Sequence, residues 1–244
     1  MGTVQVPFFL CGDGLSENMT DTPVQRTEAP DGDHIARAHA IYTPFMLSIY
    51  DVLVHGLSNR FAWRCPTQQL IELYQTNLSA NHLEAGVGTG FFLDRAGGAG
   101  FDRLALLDIN RHCLDRAAQR LARFKPTLHQ VNLLAPIGID LAPFSSVGLT
   151  YVLHCLPGSM SEKLIAVDHL RALTRDGGVV FGATILGSGV APNAAARALL
   201  ALYNSKGVFN NREDDIDALS DGLRRRFDEV DIRQVGLVAL FRAS

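Results

Sequence analysis

The chain has 244 residues, near the upper end of one ordinary catalytic domain and long enough to bury a three-layer core. With 22 Lys+Arg against 25 Asp+Glu its formal net charge is only −3, which supplies no electrostatic footprint for nucleic acid or an anionic membrane surface. No apolar run reaches the ~20 residues of a membrane span, and Cys11, Cys65, Cys113 and Cys155 show neither a CxxC pair nor zinc-ligand spacing, so reduced thiols in a cytoplasmic protein without a metal site are expected.

Residues 1–33 mix Gly, Pro, Thr and acidic residues without sustained periodicity and predict a flexible N-terminal arm, with one apolar patch, VPFFL, available to dock on the body. Across 34–78 the pattern turns helical. Ile41, Phe45, Ile49 and Leu53 recur at i, i+4, and after Pro66 come Leu70, Ile71, Leu73 and Tyr74, so a helical cap precedes the first strand. From 81 to 186 strands and helices alternate, the signal for a parallel sheet covered on both faces. Strands are predicted over 82–85, 103–108, 127–132, 147–153 and 179–186. Asn110 is the expected N-cap of a helix over 111–124, and Ser159 with Glu162 forms an S-x-x-E capping box. Residues 187–212 read as an inserted lid with a helix near 194–203. Residues 213–244 read as a helix and two apolar runs meeting near Gly236, an antiparallel hairpin that ends the sheet.

The stretch HLEAGVGTGFF decides between two cofactor classes. A glycine-rich turn after the first strand lets a ligand lie against bare backbone at a helix N-terminus. A pyrophosphate-bearing dinucleotide asks for G-x-G-x-x-G/A, the third small residue permitting close helix packing. Gly86, Gly88 and Gly90 give G-x-G-x-G instead, and Phe91 stands where that third small residue belongs. S-adenosylmethionine has no pyrophosphate, and a flat turn of alternating glycines suits its methionine end.

On these residues the sequence resembles the class I S-adenosylmethionine-dependent methyltransferases of the small-molecule, secondary-metabolite type. Three later elements fall in that family's order: ALLDIN, HQVNLL and LRALTRDGGVVFGATIL. The resemblance implies an α/β fold: a Rossmann-like, seven-stranded, mostly parallel sheet with an antiparallel last strand and helices on both faces. It implies S-adenosyl-L-methionine as cofactor, with Glu84 and the glycine turn at the methionine end, Asp108 and Ile109 at the ribose, and Asn132 and Leu133 at the adenine. Asn132 departs from the Asp more usual there. An S-adenosylmethionine-binding protein of the same fold that transfers no methyl group is the alternative.

Chemistry belongs at the carboxyl end of the fourth strand, in YVLHCLPG. The Asp/Asn-Pro-Pro-Tyr/Phe tetrad of nucleic-acid amino methyltransferases is missing there, which points to a small, largely apolar or aromatic metabolite methylated at oxygen, nitrogen or electron-rich carbon. His154 is the candidate base by position. The substrate pocket is expected from segments outside the common core: Tyr42, Tyr50, Trp63 and Arg64 from the cap, and Tyr203 from the insertion.

Overall fold

The computed structural model describes residues 58–98 and 100–244. The expected arm and most of the cap, including Tyr42 and Tyr50, lie outside the described residues. Within them the chain first winds α1 (Thr67–Asn77), which buries Leu70 and Tyr74 on one stripe, as the spacing after Pro66 predicts.

The sheet has seven strands in the order β3-β2-β1-β4-β5-β7-β6. They are β1 (Asn81–Ala85), β2 (Arg103–Asp108), β3 (Thr127–Gln130), β4 (Phe144–Thr150), β5 (Thr174–Ile185), β6 (Val230–Val235) and β7 (Val238–Ala243). The pairs among β1 to β5 are parallel, and β7 runs antiparallel to both neighbours, β5 and β6. The helices are α2 (Phe91–Ala96), α3 (Arg111–Arg120), α4 (Met160–Lys163), α5 (Ile165–Ala172), α6 (Ala194–Ser205) and α7 (Ile216–Arg224).

Because successive strand residues point to opposite faces, each strand feeds two cores. Leu83, Ala85, Leu107, Val147 and Leu149 pack under α4, α5 and α7. Leu104, Leu106, Phe181 and Leu240 face Tyr74, Phe92 and Leu114 of α1, α2 and α3. Each fully buried Leu or Phe contributes ~1.5–3 kcal/mol, so both layers are held by apolar burial.

The element types match the sequence reading, and the boundaries differ for identifiable reasons. β4 stops at Thr150, three residues early, because Tyr151 takes a left-handed φ of 61° and residues Leu153–Cys155 close into a 3-10 turn. β5 begins at Thr174 because the Asp-Gly-Gly turn is absorbed as an irregularity inside the strand: the register passes from Phe144↔Thr174 to Ser146↔Val179. The helix from Asn110 ends at Arg120 and is followed by a separate 3-10 turn, Ala122–Phe124. The Asn110 cap forms, its side chain accepting from the His112 N–H at 2.9 Å. Glu162 accepts from the Ser159 N–H at 2.7 Å, the backward half of the capping box.

The strand order reverses between β1 and β4, since β1 continues to β2 on one side and meets β4 on the other. In open parallel sheets ligands bind at that switch point, beyond the carboxyl ends of the strands.

Candidate active site

Gly86, Gly88 and Gly90 leave β1 with φ values of 68°, 54° and 73°, all in the left-handed region where a side chain is strained. The alternation of the motif is thus the alternation of the backbone. A Cβ on Gly86 would run into the Val152 side chain, so the loop after β4 lies directly across the start of the turn. A Cβ on Gly90 would press on Leu121 at 3.0 Å, which is packing beneath the turn. At Gly88 it would meet nothing within 4 Å among the described residues. Open space over bare backbone at the middle glycine is what a ligand lying along the turn needs.

Asp108 ends β2 beside that opening. Its Oδ2 accepts from the Gly88 N–H at 3.2 Å and its Oδ1 from the Asn110 N–H at 2.9 Å. Burial pushes its carboxyl up to about 6, and the backbone N–H groups of Asn110, Gly88 and Ile109 only partly oppose it. Glu84 is buried on β1 under the turn. Its Oε1 accepts from the Tyr74 hydroxyl at 2.5 Å, and its Oε2 lies 3.0 Å from His82 Nε2.

Beyond β3, Asn132 Oδ1 accepts from the Leu134 N–H at 3.0 Å and fixes a tight turn, with a lone pair left for a further donor. Leu133 is buried, and its carbonyl is 2.8 Å from His169 Nδ1 on α5. Gln130 donates to the Ile109 carbonyl at 3.0 Å and ties the ends of β2 and β3 together.

The end of β4 has a different character. Tyr151, His154, Phe209 and Tyr203 form a row of ring contacts, with centroids 5.7 Å apart between Tyr151 and His154, 4.5 Å between His154 and Phe209, and 4.9 Å between Phe209 and Tyr203. Tyr151 also approaches Phe92 of α2, 6.4 Å away, and its hydroxyl donates to buried Asn59 at 2.9 Å. Tyr203 therefore stands at one end of this row, supplied by the inserted segment as expected.

His154 does not have the setting expected of a base. It is buried, and burial, then the nearby Lys163 charge, push its pKa down to about 3. Its Nδ1 faces the Ile185 N–H and the Thr184 hydroxyl, each at 3.3 Å, so that lone pair is already engaged. Trp63 is a core residue rather than a pocket wall. It is buried, tilts against Phe209 at 6.1 Å, and its carbonyl receives the Leu237 N–H at 2.8 Å. Arg64 is exposed, and its guanidinium donates to the Ala191 carbonyl at 2.8 Å, strapping the segment before α1 to the insertion. Cys65, Cys113 and Cys155 are free thiols that burial holds well above their ordinary pKa.

A methyltransferase-domain family model matches residues 83–180, the span from β1 into β5 that builds this crevice. Demethylluteothin O-methyltransferase of Streptomyces thioluteus is 40% identical over 226 residues, covering 92% of this chain and 98% of that protein. The physcion biosynthesis cluster O-methyltransferase of Aspergillus chevalieri is 34% identical over 209 residues, 85% of this chain and 94% of its own. The chain belongs to the S-adenosylmethionine-dependent methyltransferases. In fold it is similar to the N-methyltransferase NodS of Bradyrhizobium japonicum WM9, solved with S-adenosylhomocysteine, with a TM-score of 0.57 and 16% identity over 87% of this chain and 98% of that one.

As a methyltransferase of this family it uses S-adenosylmethionine, which supplies a methyl group on a sulfonium, and transfers it to small molecules. The site fits that ligand: the open backbone at Gly88 and the buried Asp108 carboxyl group that accepts from its N–H stand side by side. Sequence reasoning passed over Tyr74, read only as part of an apolar stripe, and His82, whose i, i+2 spacing from Glu84 puts both on one face of β1. Phe209 and Tyr151 were likewise missed as site residues, since a row of rings from separate segments leaves no local pattern.

Proposed function

We propose that this enzyme methylates an aromatic or largely apolar small metabolite on an acidic hydroxyl, a phenol or enol. The observation that carries the reading is the ring row Tyr151, His154, Phe209 and Tyr203 beside the glycine turn, with a histidine held neutral inside it. With Tyr151 and Tyr203 half-buried at its ends and His154 and Phe209 buried behind them, such a row favours a flat apolar acceptor. A histidine with a pKa of about 3 is a poor proton acceptor at neutral pH, which favours an acceptor that ionises on its own. Methyl transfer is then governed by alignment, which can lower the barrier by ~7–11 kcal/mol. The O-methyltransferase names of the Streptomyces and Aspergillus relatives support oxygen as the receiving atom. His154 serves in this reading as wall rather than base.

At the cofactor we assign Glu84 with Gly86, Gly88 and Gly90 to the amino-acid end, Asp108 with Ile109 to the ribose and Asn132 with Leu133 to the adenine. Tyr203 lines the acceptor side in this reading. The same reading has the protein work in the cytoplasm on a free metabolite with no nucleic-acid partner, which its formal charge of −3 supports.

The test is incubation with methyl-labelled S-adenosylmethionine and a panel of phenols, enols, amines, short peptides and RNA. Labelled methyl ethers are expected, with a rate that rises through the acceptor's own pKa and levels off above it. Label confined to amines would move the acceptor to nitrogen. Cofactor binding with no transfer to any acceptor would favour the non-transferring alternative.

A further inference from the structure

Glu84 is 4% exposed, and among the described residues its carboxyl oxygens meet the Tyr74 hydroxyl and the His82 ring. A carboxyl group so buried needs compensation from its surroundings. What surrounds it is a built cradle that spans two strands. In the β1/β4 register His82 stands opposite Ser146 and Glu84 opposite Gly148. The His82 ring is fully buried, stacked 5.9 Å from Phe101 on one contact and 5.9 Å from Phe181 on another. Its Nδ1 is 2.8 Å from Ser146 Oγ, which is itself 2.9 Å from Ser79 Oγ and accepts from the Ser79 N–H at 3.0 Å. A Cβ on Gly148 would come within 3.0 Å of Glu84 Cδ and closer still to Oε2, so the carboxyl group lies flat against bare backbone there.

The hydrogens in this chain can be counted. In one arrangement the Ser79 hydroxyl donates to Ser146, Ser146 donates to Nδ1, and Nε2–H donates to Glu84. In the other the Ser79 hydroxyl donates to the Asn81 carbonyl at 2.8 Å, Ser146 donates back to Ser79, and Nδ1–H donates to Ser146. With a neutral ring only the first arrangement puts a hydrogen between Nε2 and Oε2; the second would set two lone pairs against each other, so the first is the one that satisfies the ionised carboxyl group, and Tyr74 donates to Oε1. Both carboxyl oxygens are tied, and the group cannot rotate. Each still has a lone-pair site beyond the bond it makes.

We propose that His82 and Tyr74 are positioning residues for the cofactor: they lock the Glu84 carboxyl group in the orientation that receives the ammonium of its amino-acid end. The proposal rests on the assignment of Glu84 to that end. It makes the H-x-E of β1, the S-x-G of β4 and one tyrosine of α1 a single device, fixed before any ligand arrives, so that little ordering is left for binding to do.

The experiment is calorimetric titration of the full chain and of Tyr74→Phe, His82→Phe and Glu84→Gln with two ligands. S-adenosylhomocysteine carries the ammonium; 5′-methylthioadenosine keeps the adenosine and thioether but has no amino-acid end. Tyr74→Phe deletes one oxygen and keeps the ring between Phe92 and Phe181, so it preserves packing even if His82→Phe does not fold. Loss of a hydrogen bond to a charged group predicts that Tyr74→Phe weakens S-adenosylhomocysteine by about tenfold, with 5′-methylthioadenosine changed by less than about twofold. Equal weakening of both ligands would reduce the network to a structural role and overturn the proposal. Weakening by Glu84→Gln but not by Tyr74→Phe would overturn it while leaving the Glu84 assignment standing. No effect of Glu84→Gln on S-adenosylhomocysteine would remove the assignment itself, and the proposal with it.

Discussion

The two ends of the crevice are built by opposite means. At β1 and β2 the backbone itself forms the surface, three left-handed glycines with buried carboxylates beneath and beside them, and nearly every polar atom is tied to another. At the end of β4 side chains take over, a row of rings drawn from the β4 loop and the segment after β5, with half-buried Tyr151 and Tyr203 at its ends and His154 and Phe209 buried between them. A common ligand can be met by fixed backbone, whereas a variable acceptor is met by side chains on connecting segments, which change without disturbing the sheet. Substitutions at the two ends should therefore fail differently.

The largest effect is expected where the acceptor end is anchored. Lys163 on α4 is fully buried and pairs with Asp214 at 2.7 Å. It also donates to the Asn210 carbonyl, one residue beyond Phe209. Truncating one member of a buried ion pair leaves the other charge unpaired, so Lys163→Ala should cost ~3–5 kcal/mol of stability in chemical denaturation. Lys163→Met with Asp214→Leu should recover much of that loss. If the double variant were no better than the single, the cost would be one of packing rather than of charge.

Asp108 tests the cofactor end, because there affinity and the pH dependence of stability hang on one carboxyl group. Its pKa of about 6 in the fold exceeds its ordinary 3.8, so the native protein holds a proton over that interval that the unfolded chain has released. The sign follows: the group's contribution to stability falls as pH rises from 4 to 6 and is a cost at pH 7. Asp108→Asn removes the titrating group, so the fall in stability between pH 4 and 6 should vanish, while its amide NH2 is set against the Gly88 or Asn110 N–H and offsets what neutralisation gains at pH 7. It should weaken S-adenosylhomocysteine at least tenfold through loss of charge-assisted bonds to the ribose. Thermal melts across that pH range and titration calorimetry on one preparation check both, and a variant that keeps the wild-type pH dependence and affinity would contradict the assignment.

The glycines sharpen the comparison further. Alanine in a left-handed conformation costs ~1–2 kcal/mol at either position, but only at Gly86 does it also collide with Val152. Gly86→Ala should destabilise the apo protein clearly more than Gly88→Ala. Gly88→Ala should act mainly on cofactor affinity, because its methyl group enters the open space over the turn. Equal melting temperatures for the two variants would mean that Val152 yields easily.

The contrast also explains what was legible in the sequence. The elements around the glycine turn could be placed because their signals are local: Glu84 with the glycines in one stretch, Asp108 at the close of an apolar run, the cap at Asn110. β2 matches its predicted bounds, Arg103–Asp108, because a continuous apolar run ends there in an acid. β4 did not, because YVLHC reads as strand until Tyr151 turns left-handed, and no propensity signals φ > 0 at a tyrosine. Trp63 was expected in the pocket on composition alone, and the sheet instead buries it under the hairpin turn at Leu237. The link from Tyr74 to Glu84 depends on how α1 crosses the sheet, which hydrophobic periodicity does not encode.

The smallest effect should belong to the residue that position alone made most suggestive. A general base contributes ~10²–10⁴-fold to turnover; a neutral wall contributes contact. With its Nδ1 facing the Ile185 N–H, His154 replaced by Phe keeps a ring against Phe209 and loses one buried acceptor. Turnover in His154→Phe should fall by less than about tenfold, with cofactor affinity unchanged. Its acid sensitivity should change as well. The pKa of the native ring lies near 3, below its ordinary 6.5, so from pH 6.5 downward the unfolded chain takes a proton that the folded one refuses, and wild-type stability falls. In His154→Phe that part of the pH dependence should be absent. A loss of turnover of 10² or more, with the acid limb of the stability curve unchanged, would return His154 to the role of base and shift the acceptor toward a hydroxyl that cannot ionise unaided.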